Sequence, residues 1–371
     1  MKKGKIEKTA AKEPVKLDIP ENEIWTYQIE GLQEPHIEKG REHSLGKRLG
    51  VVLTLLVAIG LSIYFSVRAV HKDTYEYKAL DDGTYELVKY SNPGEVTQLT
   101  VDYVDGDPTK PVTVLHEYFL NCDEKLLEVT LGKDITQIDG KSFYSCWALR
   151  NIHVDPANPA YCDIDGVLFT KDLKTVICYP IDHDAYLREV KGYAEEPEWW
   201  GEDYTEQYIA DIMTYRLPAE TETIGMLAFN YAALADVTMP EGVKSIETMA
   251  FFRCSALRNI YSFRGDEIYA SLPEGLETIG SDAFSYDQSL TYIYLPASVT
   301  SIGHHAFWDS VYKDSGEIKG LAEINTALDH DQFKDQVETG DQWKPEYDYM
   351  LFKKKVPMNY SAERMALDAA T

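Results

Sequence analysis

Basic side chains are scarce in this sequence. It has 36 lysines and arginines against 62 aspartates and glutamates, which gives a formal net charge of −26. Nucleic acids and anionic lipid surfaces are bound through clusters of lysine and arginine. The charge balance therefore argues against a nucleic-acid partner and against membrane attachment through a basic face. Cysteine is rare as well: five residues are too few, and odd in number, for a disulfide-stapled mini-domain.

Catalytic motifs are also missing, with neither a G-x-S-x-G nor a G-x-G-x-x-G sequence present. Gly140-Lys141-Ser142 matches the end of a phosphate-binding loop, but Ile135 stands where that loop requires glycine. His304 and His305 are adjacent, so they face different ways on any regular element, and neither has a metal-ligand partner at the usual spacing. Asp163-x-Asp165-Gly166 has its glycine too early for an EF-hand and predicts a hairpin turn. We therefore expect no catalytic, cofactor-binding or metal-binding residues, and no enzymatic activity.

One long hydrophobic run occurs, at residues 49–67, with Lys47-Arg48 before it and Arg68 after it. As an α-helix it spans roughly 28 Å, close to the thickness of a bilayer core. A buried core helix and a cleaved signal peptide are the alternatives, but the long polar segment before the run disfavours the signal peptide. We expect one transmembrane helix at 49–68, which makes the lipid bilayer a partner. The polar tail 1–48 is then expected to be disordered and cytoplasmic, and residues 69–371 are expected to lie outside the cell.

An internal repeat of about 23 residues fills much of the remaining chain. Its pattern is L-x-x-[IV]-x-[LVM], a turn, and [VI]-x-x-I-x-x-x-[AS]-F. The clearest repeats begin at Leu126, Leu149, Leu234, Leu257 and Leu290. This period is typical of leucine-rich repeats, in which a short strand points alternate side chains inward and neighbouring repeats stack to bury them.

Two further repeat positions predict the core. One is held by Phe143, Phe251, Phe284 and Phe307. We expect these rings to stack from repeat to repeat as a buried column. The other is held by Cys122, Cys146 and Cys254. Buried thiols are expected there and at Cys178, and a disulfide between Cys122 and Cys146 is the alternative if this region is extracellular.

The repeats can be compared with a known family. The segments SFYSC, AFFRC, LPEGLETIGSDAF and LPASVTSIGHHAF lie at 142–146, 250–254, 272–284 and 295–307. As a set they resemble the BspA-type leucine-rich repeat of bacterial surface proteins. Residues 158–180 resemble the hairpin-bearing variant of that repeat, and residues 77–90 resemble its entry hairpin. The resemblance covers roughly residues 75–309 and implies a right-handed solenoid that interacts at the cell surface, with no catalytic residue.

The expected fold is mostly β: a leucine-rich-repeat solenoid with an entry β-hairpin, preceded by one transmembrane helix. The parts are the tail 1–48, the transmembrane helix 49–68, a linker and capping hairpin 69–90, the solenoid 91–309 with an insertion at 181–216, and a capping tail 310–371. A shorter insertion lies at 262–271. Within the tail, a helical spacing predicts one amphipathic helix. The residues at that spacing are Ile318, Leu321, Ile324 and Leu328.

The outward positions of the repeat strands predict a ligand-binding face, because strand alternation points two rows of side chains away from the core. The first row is Thr130, His153, Thr238, Tyr261 and Tyr294. The second row is Glu128, Asn151, Asp236, Asn259 and Tyr292. This polar-to-aromatic face suits a peptide or a glycan. The alternative is that 26 tyrosines place some on any surface.

Trp199 and Trp200 form a second candidate ligand site, within the acidic insertion. Exposed tryptophan pairs are typical of interaction hot spots. The alternative is that both rings fold back over the solenoid.

These features predict a membrane-anchored bacterial surface protein. Its repeat domain is expected to mediate adhesion by binding an extracellular protein or glycan. The alternative is a single-pass sensor or assembly subunit, in which the 1–48 tail, with Trp25 and Tyr27, contacts a cytoplasmic partner.

Overall fold

The computed structural model describes residues 73–92, 96–120, 124–193, 205–314, 317–321 and 323–326. All of them belong to one compact unit, Ser66–Thr371. The other unit, Met1–Phe65, and the expected transmembrane segment 49–68 lie outside the described residues. Among the residues that are described, no helix is both long and apolar enough to cross a membrane.

The described part is mostly β, with 22 strands and two α-helices. The strands before the helices are β1 (Thr74–Ala79), β2 (Tyr85–Ser91), β3 (Gln98–Val101), β4 (Val112–Leu115), β5 (Glu128–Leu131), β6 (Gln137–Ile138), β7 (Asn151–Val154), β8 (Tyr161–Ile164), β9 (Val167–Thr170) and β10 (Thr175–Cys178). The helices are α1 (His183–Lys191) and α2 (Glu206–Ile212). The strands after them are β11 (Thr214–Arg216), β12 (Thr223–Ile224), β13 (Asp236–Pro240), β14 (Ser245–Ile246), β15 (Asn259–Arg264), β16 (Glu267–Tyr269), β17 (Thr278–Ile279), β18 (Tyr292–Leu295), β19 (Ser301–Ile302), β20 (Val311–Asp314), β21 (Glu317–Gly320) and β22 (Glu323–Thr326).

A typical repeat contributes a longer and a shorter strand, and each pairs in parallel with its counterpart in the next repeat. The longer strands form the sheets β3-β5-β7 and β11-β13-β15-β16. The shorter strands form most of the sheet β19-β17-β14-β12-β10-β9-β8. Val237 pairs with Ile260, so residues at equal repeat positions lie side by side. This is the register that the repeat pattern predicts. At the entry, β1 and β2 form the expected antiparallel hairpin.

The turn that carries the Ala-Phe pair forms its own hydrogen-bond ladder. The backbone N–H groups of Met249, Phe251 and Arg253 donate to carbonyl oxygens of the next repeat at 2.8, 2.8 and 2.9 Å. Met249 and Arg253 adopt the left-handed conformation, with φ of 57° and 62°, and the same pair of positions recurs in three other repeats. A left-handed residue other than glycine costs roughly 1–2 kcal/mol. Three hydrogen bonds of about 1 kcal/mol each offset this cost.

The phenylalanines inside these turns stack as a column. Its members are Phe229, Phe251, Phe284 and Phe307. Successive ring centroids are 5.0, 5.2 and 5.6 Å apart, and the planes are parallel within 3°. The prediction was wrong for Phe143, which packs edge-on against Phe119 in a separate core cluster. Tyr179 of the hairpin-bearing repeat takes the next place in the column, 5.5 Å from Phe229, because that repeat intervenes between Phe143 and the later turns.

Residues 158–180 contain the hairpin that the resemblance implies. β8 and β9 pair antiparallel, and Asp165 and Gly166 form the turn between them with φ of 50° and 84°. The predicted hairpin turn is thus confirmed. Gly166 lies so close to Asn151 that an added Cβ would stand 2.3 Å from Asn151 Oδ1. Asn151 is buried under this turn, so its expected outward position was wrong.

A buried asparagine anchors the same hairpin to the preceding repeat. Asn158 Nδ2 donates to the carbonyl oxygens of Gly132 and Ile135, both at 2.9 Å. Its Oδ1 accepts from the backbone N–H groups of Ala160 and Tyr161, both at 2.8 Å. Every hydrogen-bonding position of the amide is used, so its burial carries little penalty.

The two insertions form different structures. Within 181–216, α1 and α2 share a small apolar cluster that includes Leu187, Tyr208 and the repeat residue Ala235. Trp199 and Trp200 lie outside the described residues. The shorter insertion, 262–271, extends β15 into an antiparallel hairpin with β16.

The tail begins with strands instead of the predicted amphipathic helix. β20 pairs antiparallel with β21, and β22 pairs in parallel with β18. The helix prediction was wrong because Ile318 and Ile324 fit a period of two as well as a helical spacing, and β-branched residues favour strands. Gly320 between them disfavours a helix. Leu328 lies outside the described residues.

The four described cysteines are free thiols. Cys146, Cys178 and Cys254 are buried, and Cys162 is half-buried. Burial raises the pKa of the Cys178 thiol to about 12, which makes it unreactive. Cys122 lies outside the described residues, so the Cys122–Cys146 alternative stays a prediction.

An aspartate occupies the cysteine position in one repeat. Asp287 is 0% exposed, and both of its carboxylate oxygens are buried. Burial raises the pKa of this carboxyl well above its ordinary value. The folded protein therefore holds Asp287 in its protonated form over a pH range in which an exposed aspartate is ionised.

Phe251→Ala should lower the free energy of unfolding by about 3–5 kcal/mol, because it removes a fully buried ring that is stacked on both sides. Thermal and urea unfolding measure the change. Arg258→Ala, at an exposed position of the next repeat, is the control and should change the free energy by less than about 0.5 kcal/mol. An unchanged melting temperature in Phe251→Ala would contradict the stacked register.

Asp287→Asn should remove a pH dependence of stability. Above about pH 4 the unfolded chain ionises Asp287 while the folded protein does not, so this residue lowers the free energy of unfolding as the pH rises. Urea unfolding at a series of pH values should give similar stabilities for wild type and variant near pH 3. The variant should be the more stable protein at pH 7. A difference that is constant across the series would rule out a buried, protonated carboxyl.

Candidate functional site

The outward sides of β15 and β18 carry the tyrosines of the expected binding face. On β18, Tyr292 and Tyr294 are half-exposed and flank the buried Ile293. On β15, Tyr261 is half-exposed and follows the buried Ile260. Successive side chains of a strand point to opposite faces, so the buried isoleucines hold the tyrosines on the outer side. The structure places all three rings as the strand alternation predicts.

An arginine from a neighbouring repeat crosses this face. Arg216, Thr238 and Tyr261 lie in one row across β11, β13 and β15. The Arg216 guanidinium stands 3.9 Å from the ring centroid of Phe263, so it passes over β13. Thr238 on that strand is 7% exposed. Its expected place on the exposed face was wrong, because a side chain from another strand covers it.

His153 lies on a different sheet from the tyrosines. It is exposed on β7, beside Thr130 of β5, in the sheet β3-β5-β7. Tyr261 belongs to β11-β13-β15-β16, and β18 pairs with β22. The structure therefore places Tyr292 and Tyr294 on one strand, and neither Tyr261 nor His153 belongs to the same sheet as that strand.

The β15-β16 hairpin adds apolar surface that sequence reasoning missed. Ile268 of β16 lies opposite Phe263 of β15 and is 37% exposed. Residues 262–271 interrupt the repeat and carry no repeat pattern of their own. The available signal was the Gly265-Asp266 pair between two short strand-like runs, which is typical of a two-residue hairpin turn.

The polar groups of this region differ in accessibility, and the hydroxyl oxygen of Tyr292 is buried. Asn259 Nδ2 donates to Asp236 Oδ1 at 2.8 Å. Burial raises the pKa of the Asp236 carboxyl. Burial, with a contribution from Glu274, also raises the pKa of Tyr294, so this hydroxyl keeps its proton and can donate to a ligand. The described residues contain no group of three or more His, Cys, Asp or Glu side chains that could hold a metal ion. The side chains of this face can therefore bind a ligand by stacking on the tyrosine rings and by hydrogen bonding.

A second aromatic surface follows the turns from repeat to repeat, and sequence reasoning missed it too. Ring centroids of Trp147 and Tyr231 are 4.6 Å apart, those of Tyr231 and Phe252 are 6.1 Å apart, and those of Phe252 and Tyr286 are 5.5 Å apart. Each pair is nearly perpendicular, and the Arg253 guanidinium lies 4.6 Å from the Tyr286 ring. The available signal was the aromatic residue one, two or four positions after a repeat phenylalanine.

Six copies of one family model match this chain, over residues 108–171 and 207–319. The model describes the BspA type leucine rich repeat region. The chain carries BspA-type leucine-rich repeats. The match confirms the resemblance drawn from the repeat segments, and it agrees with the mostly-β repeat fold. It indicates a repeat family and no enzymatic one.

Solved bacterial leucine-rich-repeat structures are similar to this chain. The pneumococcal vaccine antigen PcpA is 18% identical with a TM-score of 0.38, and 65% of each chain is covered. A leucine-rich cell surface protein from Faecalibacterium prausnitzii is 17% identical with a TM-score of 0.37, covering 72% of this chain and 96% of that one. A leucine-rich repeat protein from Bacteroides ovatus is 17% identical with a TM-score of 0.38, covering 69% and 56%. The chain thus spans less than two thirds of PcpA and of the Bacteroides ovatus protein. No curated protein matches it significantly.

Proposed function

We propose that the BspA-type repeats of this chain form a right-handed solenoid on the bacterial surface and serve adhesion by binding an extracellular protein or glycan. The observation that carries the proposal is the outward placement of Tyr261, Tyr292 and Tyr294 on strands whose inward residues form the core. Tyrosine combines a large apolar ring with a hydrogen-bonding hydroxyl, which suits a binding surface. Repeat arrays present such extended surfaces without a catalytic centre.

The binding proposal also includes a polar component. Asn259 lies on the same strand as Tyr261, Asp236 lies on the neighbouring strand β13, and Arg216 lies on β11, one strand further away. These groups can fix the orientation of a ligand that the aromatic rings hold, since polar contacts at such sites supply specificity more than affinity. His153 remains a proposed contact on the separate sheet β3-β5-β7, and Trp199 and Trp200 remain proposed contacts from the insertion.

Replacing Tyr261, Tyr292 and Tyr294 together by serine should weaken adhesion while the protein stays folded. The three side chains are half-exposed, and changes at surface positions usually cost within about 0.5 kcal/mol each. Thermal unfolding tests the fold. Attachment to glycan arrays, matrix proteins and neighbouring cells tests the binding.

The matched control is Tyr118→Ser, which removes an exposed tyrosine on the turn side of the repeats and should leave attachment unchanged. Loss of folding in the triple variant would mean that the rings support the core. Normal folding with full attachment would reject the tyrosine face and direct attention to Trp199-Trp200.

We further propose that residues 49–68 anchor the chain in the cell membrane, with the repeats outside and residues 1–48 inside. The support is the uncharged run itself and the Lys47-Arg48 pair before it, since basic residues favour the cytoplasmic side. Protease added to intact cells should digest the repeat region and leave the 1–48 tail protected. Digestion of the repeats only after lysis would reverse the proposed orientation.

The second candidate function is that of a sensor or assembly subunit. Trp25 and Tyr27 form an aromatic spot in the otherwise polar tail, which suits a cytoplasmic partner. A pull-down with residues 1–48 separates the two functions, because an adhesin needs no specific partner for this tail.

A further inference from the structure

The tip of the β15-β16 hairpin carries the tripeptide Arg-Gly-Asp. Arg264 ends β15, Gly265 and Asp266 form the turn, and Glu267 begins β16 as the strand partner of Arg264. Gly265 has a φ of 63°, and glycine at the first central position is typical of a type II′ turn. The turn is short and paired on both sides, so it limits the relative positions that Arg264 and Asp266 can take.

The tripeptide is exposed and uncrowded. All three residues are exposed, and the Arg264 side chain keeps 67% of its surface accessible. A Cβ added to Gly265 would contact nothing within 4 Å. Arg264 pairs with Glu241 at 3.4 Å, and Glu241, whose side chain is 16% exposed, also accepts a hydrogen bond from the Glu274 backbone N–H, so it keeps a partner when Arg264 moves away. An acidic group of a partner can therefore take the place of Glu241 at small cost.

The two acidic residues at the tip are in different situations. Glu267 accepts a hydrogen bond from the Tyr269 hydroxyl at 2.5 Å, which holds its carboxylate along β16. Asp266 takes part in no ion pair or hydrogen bond of its side chain within the described part of the chain. Carboxylate oxygens are preferred ligands of Mg²⁺ and Ca²⁺, and a guanidinium binds a carboxylate through two parallel hydrogen bonds. Asp266 thus offers a carboxylate ligand for a cation, and Arg264 offers a guanidinium that can bind a carboxylate. Gly265 lies between them.

We propose that this hairpin tip is a ligand for a receptor of the integrin class. Asp266 completes the coordination of a divalent cation held by the receptor, and Arg264 pairs with a receptor carboxylate. An exposed Arg-Gly-Asp turn is the chemistry that such receptors recognise, and Gly265 leaves room for close approach of the receptor. The proposal rests on the extracellular placement proposed above and names the partner class for adhesion.

The test uses purified full-length protein and immobilised integrin αVβ3 in the presence of Mn²⁺, with binding followed by surface plasmon resonance. We expect saturable binding that EDTA abolishes and that the peptide Gly-Arg-Gly-Asp-Ser displaces, whereas Gly-Arg-Gly-Glu-Ser does not. Asp266→Glu keeps the charge but moves the carboxylate by one methylene, and it should weaken the affinity roughly tenfold or more. Absence of cation-dependent binding, or equal affinity in Asp266→Glu, would overturn the proposal.

The matched control is Glu267→Gln, which removes a charge from the next residue of the same hairpin and should bind like the wild type. Thermal unfolding of each variant checks that the repeats remain folded. The variant with serine at positions 261, 292 and 294 should keep its integrin affinity, and loss of it would assign the receptor to the tyrosine face instead. Since the assay uses purified proteins, it is independent of the protease experiment on intact cells, which alone decides the proposed orientation.

Discussion

Backbone hydrogen bonds between the turns of successive repeats set the positions of the other groups in this protein. Arg253 and Met249 donate to the next repeat because both adopt the left-handed conformation. With the turns held in this register, the Phe251 ring lies 5.2 Å from that of Phe284, within stacking distance. The longer strands follow the same register, which buries Ile260 and turns Tyr261 outward. The buried column and the candidate binding face are two consequences of one repeat geometry.

The hydrogen bonds between turns fix the geometry of each repeat. Residues inserted into a repeat must therefore lie outside this hydrogen-bond ladder. Ile279 and Ile302 pair at the ordinary spacing of 23 residues, whereas Ile246 and Ile279 are 33 residues apart and pair just as closely. The additional residues between them form the hairpin of β15 and β16, which extends away from the core and exposes Ile268. An insertion of this kind adds binding surface without disturbing the ladder, since the buried positions before and after it keep their partners.

The sequence predicts those features that depend on spacing along the chain. Strand alternation was enough to turn Tyr292 and Tyr294 outward, and the 23-residue period was enough to align most of the phenylalanine column. Prediction from spacing fails where a residue that is distant in the sequence determines the position of a side chain. Thr238 is covered by a guanidinium from another repeat, and Phe143 loses its place in the column to Tyr179, which follows a hairpin. The predicted tail helix that included Ile318 was wrong for a different reason, because the spacing of its apolar residues fits both a helix and a strand.

Electrostatics separates the two proposed binding surfaces. A net charge of −26 repels acidic partners at long range, but salt screens this field beyond roughly 8–10 Å, so contact is governed by local groups. On the tyrosine face the local groups are mainly neutral rings and hydroxyls, which suits an uncharged ligand. At the hairpin tip Arg264 and Asp266 present opposite charges close together, which suits a partner that itself carries a cation beside an acid. The local carboxylate of Asp266, and not the net charge of the chain, then favours the second kind of partner, because a receptor-bound divalent cation is attracted by a carboxylate within contact distance.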